Sequence, residues 1–277
     1  MKFVKMHGLG NDFVFIEDKQ GQNKDFAPLA QKICNRHTGV GADGLIVIVP
    51  STVADVRMRI INNDGSEAEM CGNGIRCFAK YVYEHHIMDK TEFMVETMAG
   101  IMKPKLTIED HTVKLVTIDM GKAFLERSEI PMLGAPGRVV NEPLHIDGKD
   151  YAITSVLTGV PHTTVFVENL DEIDLPVLGR KIEKHPSFPK GTNVNFVQVV
   201  DDKTVKMRTW ERGAGATLAC GTGCCGVAVA CFLNGVTGRS VDVQLYLGTL
   251  HIDYKEDGTV FMTGPAAVSF TGEWLGE

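Results

Sequence analysis

The sequence has no run approaching the ~18 apolar residues of a membrane-spanning helix. It has no block of Lys or Arg and no C-x2-C pair. The opening stretch, MKFVKMHGLGNDFVFIED, is broken by Lys5, His7 and Asp12 and is followed by no small-residue cleavage pattern, so it does not read as a secretory signal. These absences argue against a membrane partner and point to a cytoplasmic location. The formal net charge of −7 argues against nucleic acid as a partner, because phosphate does not attract a net acidic surface. Without C-x2-C knuckles, the seven cysteines, an odd number, do not form a zinc framework and are expected as free thiols in a reducing compartment. At 277 residues, 44% hydrophobic and 23% charged, the chain has ample material for one or two globular domains.

The chain repeats itself. VRMRIINNDGSEAEMCGNGIRCFAKYV (56–82) recurs as VKMRTWERGAGATLACGTGCCGVAVAC (205–231), and Cys71 maps onto Cys220 at an offset of 220 − 71 = 149. The match extends outward: VFIE (14–17) has its counterpart in VFVE (165–168), and Lys32–Ile33 in Lys181–Ile182. A period this long is a duplicated domain rather than a solenoid. In each half an alternating segment (DVRMRI, TVKMRT) reads as a strand. Ile75, Phe78, Ala79 and Val82 then fall at i, i+3, i+4 and i+7 on one helix face, and Cys224, Val227, Ala228 and Cys231 do the same. Other alternating stretches, punctuated by Gly, Pro and Asp, read as strands and hairpins. The class is α+β, rich in strands. The halves are expected at 1–115, completed by 265–277, and at 116–264. Cys34, Cys77, Cys225 and Cys231 read as packing residues.

Cys71 and Cys220 differ, because each stands just before a Gly-x-Gly that opens a helix. The first amides of a helix lack internal partners and carry partial positive charge, which favours a thiolate placed there and lowers its pKa toward neutrality. Glycine without a Cβ lets such amides approach an anion closely. Two such elements facing each other would suit inversion at a carbon: one sulfur removes a proton from one face and the other supplies one to the opposite face.

At these residues the chain resembles the diaminopimelate epimerase family. The motifs are HGLGNDF (7–13), NNDGSEAEMCGNGIRC (62–77), GVPH (159–162), FPKGTNVNF (188–196), ERGAGATLACGTG (211–223) and GPA (264–266), in order over essentially the whole chain. The resemblance implies two pseudo-symmetric domains, each a mixed, largely antiparallel sheet wrapped around a central helix, with the active site in the cleft between them. It implies a cofactor-independent, metal-free enzyme acting on a small amino-acid substrate, and a homodimer. Cys71 and Cys220 would be the acid/base pair. Gly72, Asn73, Gly221 and Thr222 would offer amides to the carboxylate at the reacting centre. Asn11, Asn62, Asn193, Glu211 and Arg212 would hold the distal amino-acid end, where an anion for the ammonium and a cation for the carboxylate are both needed. His162 and Glu211 would tune the thiols. The chain departs from the family pattern at Val160, where Asn is common, at Gly44, where some members have Gln, and at Ala216, where many have Glu.

Other readings fit less well. GVGADG (39–44) matches G-x-G-x-x-G, but a helix-like stretch precedes it and the strand-like LIVIV follows, the reverse of a dinucleotide site. A proline or hydroxyproline racemase-like activity would go with His in place of Asn73. A non-enzymatic metal-binding protein would need the two cysteines to share a zinc, which lacks its usual spacing here.

Overall fold

The computed structural model describes residues 1–23 and 25–276. It forms two compact units, the first built from Met1–Ile118 with Gly264–Glu277 and the second from Asp119–Thr263.

The first unit contains β1 (Lys2–Gly8), β2 (Asn11–Glu17), α1 (Ala27–Ile33), β3 (Gly44–Val49), β4 (Val56–Asn62), β5 (Glu67–Ala68), α2 (Gly72–Glu84), β6 (Val95–Thr97), β7 (Gly100–Met102), β8 (Lys105–Glu109) and β9 (Thr112–Lys122), the last running on into the second unit. The second unit contains β10 (Val139–Ile146), β11 (Lys149–Thr158), β12 (Val160–Phe166), α3 (Leu175–Glu183), β13 (Asn193–Val199), β14 (Thr204–Glu211), β15 (Gly215–Thr217), α4 (Gly221–Leu233), β16 (Ser240–Leu245), β17 (Gly248–Tyr254) and β18 (Thr259–Gly264). The chain then returns to the first unit as β19 (Ala267–Glu273).

The two sheets share one plan. In the first, the order is β19-β1-β2-β3-β4-β6-β7; in the second, it is β10-β11-β12-β13-β14-β16-β17-β18-β9-β8. Pairing along the first seven strands of each runs antiparallel, antiparallel, parallel, antiparallel, parallel, antiparallel. The offset seen in the sequence recurs in the elements: β3 and β13 begin at 44 and 193, and α2 and α4 run 72–84 and 221–233, each displaced by 149. The two units are thus duplicated and pseudo-symmetric, with β19 supplying the edge strand that β10 supplies in the other half.

Local sequence explains the central elements. Strand β3 is GLIVIV and is buried at every position, as expected of a strand covered on both faces. Strand β4, VRMRIIN, alternates, and its outward Arg59 pairs with Glu67 on the neighbouring β5. Helix α2 packs on β1, β2 and β4, and α4 on β11, β12, β13, β16 and β17.

The apolar stripe read for α2 understates its burial. Every residue from Asn73 to Val82 is buried, including Arg76 and Lys80. A helix enclosed on all sides can hold such groups only if they are bonded. Arg76 Nε donates to the Pro265 carbonyl at 3.2 Å, and its Nη1 to the Gly72 carbonyl at 3.2 Å. Lys80 Nζ donates to Glu84 at 2.7 Å and to the Val113 carbonyl at 2.8 Å. Cys34, Cys77, Cys225 and Cys231 are buried, in keeping with packing roles. Burial pushes the thiols of Cys34, Cys77 and Cys231 up to about 12, far from reactivity.

Candidate active site

Cys71 and Cys220 occupy the same structural position in the two units. Each is the residue immediately before its helix, with extended backbone (φ −140°, ψ 119° and φ −128°, ψ 106°). Both sulfurs therefore sit at a helix N-terminus, where unpaired amides concentrate positive charge.

The second glycine of each Gly-x-Gly serves packing. A Cβ on Gly74 would lie 3.2 Å from Ile46 Cδ1 and 3.3 Å from Cys71 Cβ. One on Gly223 would lie 2.9 Å from Asn195 Oδ1 and 3.3 Å from Cys220 Sγ. Any larger residue would press on the cysteine itself. At Gly74 and Gly223 the missing Cβ lets the helix turn close tightly behind the thiol.

Two amides hydrogen-bond the Cys71 sulfur. The Cys71 Sγ accepts from the Gly74 N–H at 3.4 Å, and its S–H donates to Asn11 Oδ1 at 3.5 Å. Asn73 Nδ2 donates to the same oxygen at 3.2 Å. The orientation of Asn11 is held by Asp43, whose carboxylate accepts from Asn11 Nδ2 at 2.7 Å and from the Asp12 N–H at 3.1 Å. Arg36 ties Asp43 to Asp12, and the buried Lys5 binds Asp12 at 2.7 Å. Burial pushes the Asp12 carboxyl up, but hydrogen bonds from Arg36 and Lys5 outweigh it and hold the group down at about 2. Asn62 Nδ2 donates to Ser66 Oγ at 2.9 Å across a turn.

Around Cys220 the setting is different. Its Sγ donates to Glu211 Oε2 at 3.3 Å and lies 3.5 Å from Thr222 Oγ1. The other Glu211 oxygen accepts from Thr217 Oγ1, which fixes the carboxylate against the thiol. Burial, with only 5% of the residue exposed, and then the negative charge of Glu211 push the Cys220 thiol well above its ordinary range. This corrects the expectation of a thiol tuned toward neutrality: desolvation and a carboxylate outweigh the helix terminus. His162 is wholly buried, with Nε2 3.0 Å from Thr222 Oγ1 and Nδ1 3.3 Å from Asn195 Nδ2. Burial, then the charge of Arg212, hold its pKa down at about 3, so the imidazole is neutral. It reaches the thiol through Thr222 rather than directly. Asn193 accepts from the Arg212 N–H at 2.8 Å and donates to the Pro161 carbonyl at 3.2 Å. The Arg212 side chain donates to the Lys190 carbonyl at 2.8 Å and is otherwise exposed.

The first half therefore brings Asn11, Asn73 and Cys71 together, while Asn62 bonds Ser66. The second gathers Asn193, Glu211, Arg212, Thr222, His162 and Cys220. Sequence reasoning missed Asp43, Thr217, Thr209 and Asn195. The nearest signal for Asn195 was its place in the NVNF stretch, two strand positions beyond Asn193 and so on the same face.

Strand register puts β2 and β12 at an offset of 149, since Phe13 pairs with Gly44 as His162 pairs with Asn193, rather than the 151 at which VFIE matches VFVE, and it shows how the duplicated site has diverged. Asn11 corresponds to Val160, Asn62 to Glu211, Asn73 to Thr222 and Phe13 to His162. Cys71 bonds the Asn11 side-chain amide and the Gly74 N–H, whereas Cys220 bonds the Glu211 carboxylate. At Gly44 the backbone accounts for the departure from Gln: a Cβ there would stand 2.9 Å from the Ile61 carbonyl oxygen. Ala216 is exposed on β15 opposite Trp210, and the fold gives no reason for or against a larger residue there.

Comparison with known proteins places the chain. A solved phenazine biosynthesis protein of the PhzF family from Bacillus anthracis superposes with a TM-score of 0.72 over 99% of both chains at 16% identity, a likeness of fold. The diaminopimelate epimerase of Pelotomaculum thermopropionicum is 53% identical over 276 residues, 99% of each chain. That of Caldanaerobacter subterraneus subsp. tengcongensis is 50% identical over 273 residues, again 99% of each. The sequence model of the family Diaminopimelate epimerase matches residues 3–125 and 154–269, a span that takes in both cysteines and the clusters around them, and the chain belongs to that family.

Proposed function

We propose that this protein interconverts L,L- and meso-diaminopimelate by moving a proton at Cα between Cys71 and Cys220, without an organic cofactor or metal. The observation that carries this reading is the recurrence of one cysteine at one helix N-cap in both halves of a duplicated fold, with different polar partners. Racemisation by two groups needs one of them protonated and the other not. The partners of Cys220 favour the protonated state, since burial and Glu211 both oppose its thiolate. Cys220 is then the resting donor and Cys71 the resting acceptor. Cys71 thiolate takes the Cα proton, and the Cys220 S–H then delivers its own to the opposite face. The enzyme is left with Cys71 protonated and Cys220 as thiolate, the state that runs the reverse reaction.

The carbanion formed between these transfers delocalises into the adjacent carboxylate. Amides at the starts of α2 and α4, those of Gly72, Asn73, Gly221 and Thr222, would receive that charge in this reading. Asn62, Asn193 and Arg212 remain our candidates for the distal end of the substrate. Asn11 and Glu211, also expected there, bond the thiols, which favours a role at the reacting centre. The same reading includes a cytoplasmic homodimer. Among the described residues no helix is long and apolar enough to cross a membrane.

The test is isotope exchange. Purified, reduced protein in heavy water, with no added cofactor, is expected to place deuterium at Cα of diaminopimelate and not at Cα of proline. Cys71→Ala and Cys220→Ala should each abolish turnover with the fold intact. Failure of the wild-type protein to exchange, or near-full epimerisation by either variant, would refute the two-thiol scheme.

A further inference from the structure

The hydrogen bonds around His162 run outward to two residues with no role so far. Thr209, on β14, donates its hydroxyl to Asn195 Oδ1 at 2.9 Å. The Asn195 amide nitrogen is left facing His162 Nδ1 at 3.3 Å. An amide nitrogen can only donate, so Nδ1 holds the lone pair and Nε2 carries the ring proton. Nε2 lies 3.0 Å from Thr222 Oγ1, which accepts from it. The Thr222 hydroxyl proton then needs another acceptor, and Cys220 Sγ stands 3.5 Å away. Thr158 fixes the backbone of this residue by donating to the Thr222 carbonyl at 2.9 Å. Asn195 and His162 are fully buried, so solvent cannot replace either partner.

We propose that Asn195 is a positioning residue that locks His162 in its Nε2–H tautomer and so turns the Thr222 hydroxyl toward Cys220, supplying the donor that the Cys220 thiolate needs when it forms. This rests on the proton-transfer reading above and deepens it. The need is specific to Cys220. Glu211 is the charged group facing that sulfur, and together with burial it opposes the thiolate. Arg212 acts on His162 and helps keep it neutral, so the ring remains one donor and one acceptor. The relay exists in one half only: the counterparts of His162, Asn195 and Thr222 at the offset of 149 are Phe13, Ile46 and Asn73.

Two measurements on the full-length protein test this. In protein labelled with 15N-histidine, long-range proton–nitrogen spectra report the tautomer of the imidazole that stays neutral across about pH 5–8. The Nε2–H form is expected, and the Nδ1–H form overturns the proposal. The second measurement is the pH dependence of alkylation at Cys220, read by peptide mass spectrometry. Asn195→Leu is expected to move that profile up by about one pH unit, a tenfold loss of thiolate at a given pH, and to leave the Cys71 profile in place. In a Thr222→Val background the same substitution should move nothing. An unmoved Cys220 profile, or an equal shift with and without the Thr222 hydroxyl, overturns the proposal. If Asn195→Leu does not fold, Asn195→Ser takes its place, and the tautomer measurement needs no variant. Neither readout depends on turnover. A protein that shows both effects but exchanges no Cα deuterium refutes the epimerase reading alone; the converse refutes the relay alone.

Discussion

Replacing Glu211 by Gln should make Cys220 more acidic, and the size of the effect follows from the geometry. The carboxylate oxygen stands 3.3 Å from Sγ. At an effective dielectric of about 20, two unit charges roughly 4 Å apart repel by about 4 kcal/mol, equivalent to about 3 pKa units. Glu211 is partly exposed, so solvent screening reduces this to about 2 units. The sign is unambiguous, because the lost hydrogen bond also stabilised the neutral thiol. Burial remains and still holds the group above an ordinary cysteine. A fall of about 2 units raises the thiolate fraction about 100-fold but lowers its intrinsic nucleophilicity by roughly tenfold, so alkylation at a pH near 8 should quicken about tenfold. The assay is the rate of iodoacetamide labelling at the Cys220 peptide between about pH 6 and 10, with Cys71 as the internal reference. A profile that stays put, or moves to higher pH, would refute the assignment of Glu211 as the carboxylate that keeps Cys220 protonated.

Other outcomes are expected from the same structure. Gly226→Ala places a Cβ 2.9 Å from His162 Cβ and should cost about 1–3 kcal/mol in denaturant unfolding, with His162 displaced in the tautomer spectra. The Asp12 carboxyl, lowered from 3.8 to about 2, contributes about 2 kcal/mol that is fully present above about pH 4 and lost as pH falls through 2. Asp12→Asn should therefore destabilise the protein by about 2–3 kcal/mol at pH 7, and the gap to the parent should narrow between about pH 4 and 2. Ending the chain at Gly264 removes β19, the carbonyl that receives Arg76, and the Met1–Trp274 backbone bonds at 2.7 Å. Such a chain should lose hydrogen-exchange protection along β1 and aggregate through the exposed strand edge.

Much of the fold was legible because its signals are local or repeated. A gapless offset of 149 exposed the duplication, and 3.6-residue periodicity exposed α2 and α4. Glycine after each cysteine marked the helix starts. The return of the last residues to the first half followed from their having no counterpart in the second copy. The full enclosure of α2 was not legible, because Arg76 and Lys80 read as a polar face until the carbonyls of Pro265 and Val113 close on them. Nor was the part played by Asp43 or Asn195, each of which touches a site residue through strand pairing or packing rather than through a motif.

The sequence by itself determined that there are two equivalent cysteines, that each begins a helix, and that the family is that of the diaminopimelate epimerases. These depend on short-range patterns and on the comparison of one half with the other. Only the tertiary structure decided that the equivalent thiols are chemically unlike. Glu211 reaches Cys220 from the end of β14, and His162 reaches Thr222 from β12, contacts across 9 and 60 residues of chain. Whether a thiol is held as S–H depends on the charge and solvent within a few ångströms of it, and those are set by how strands far apart in sequence pack.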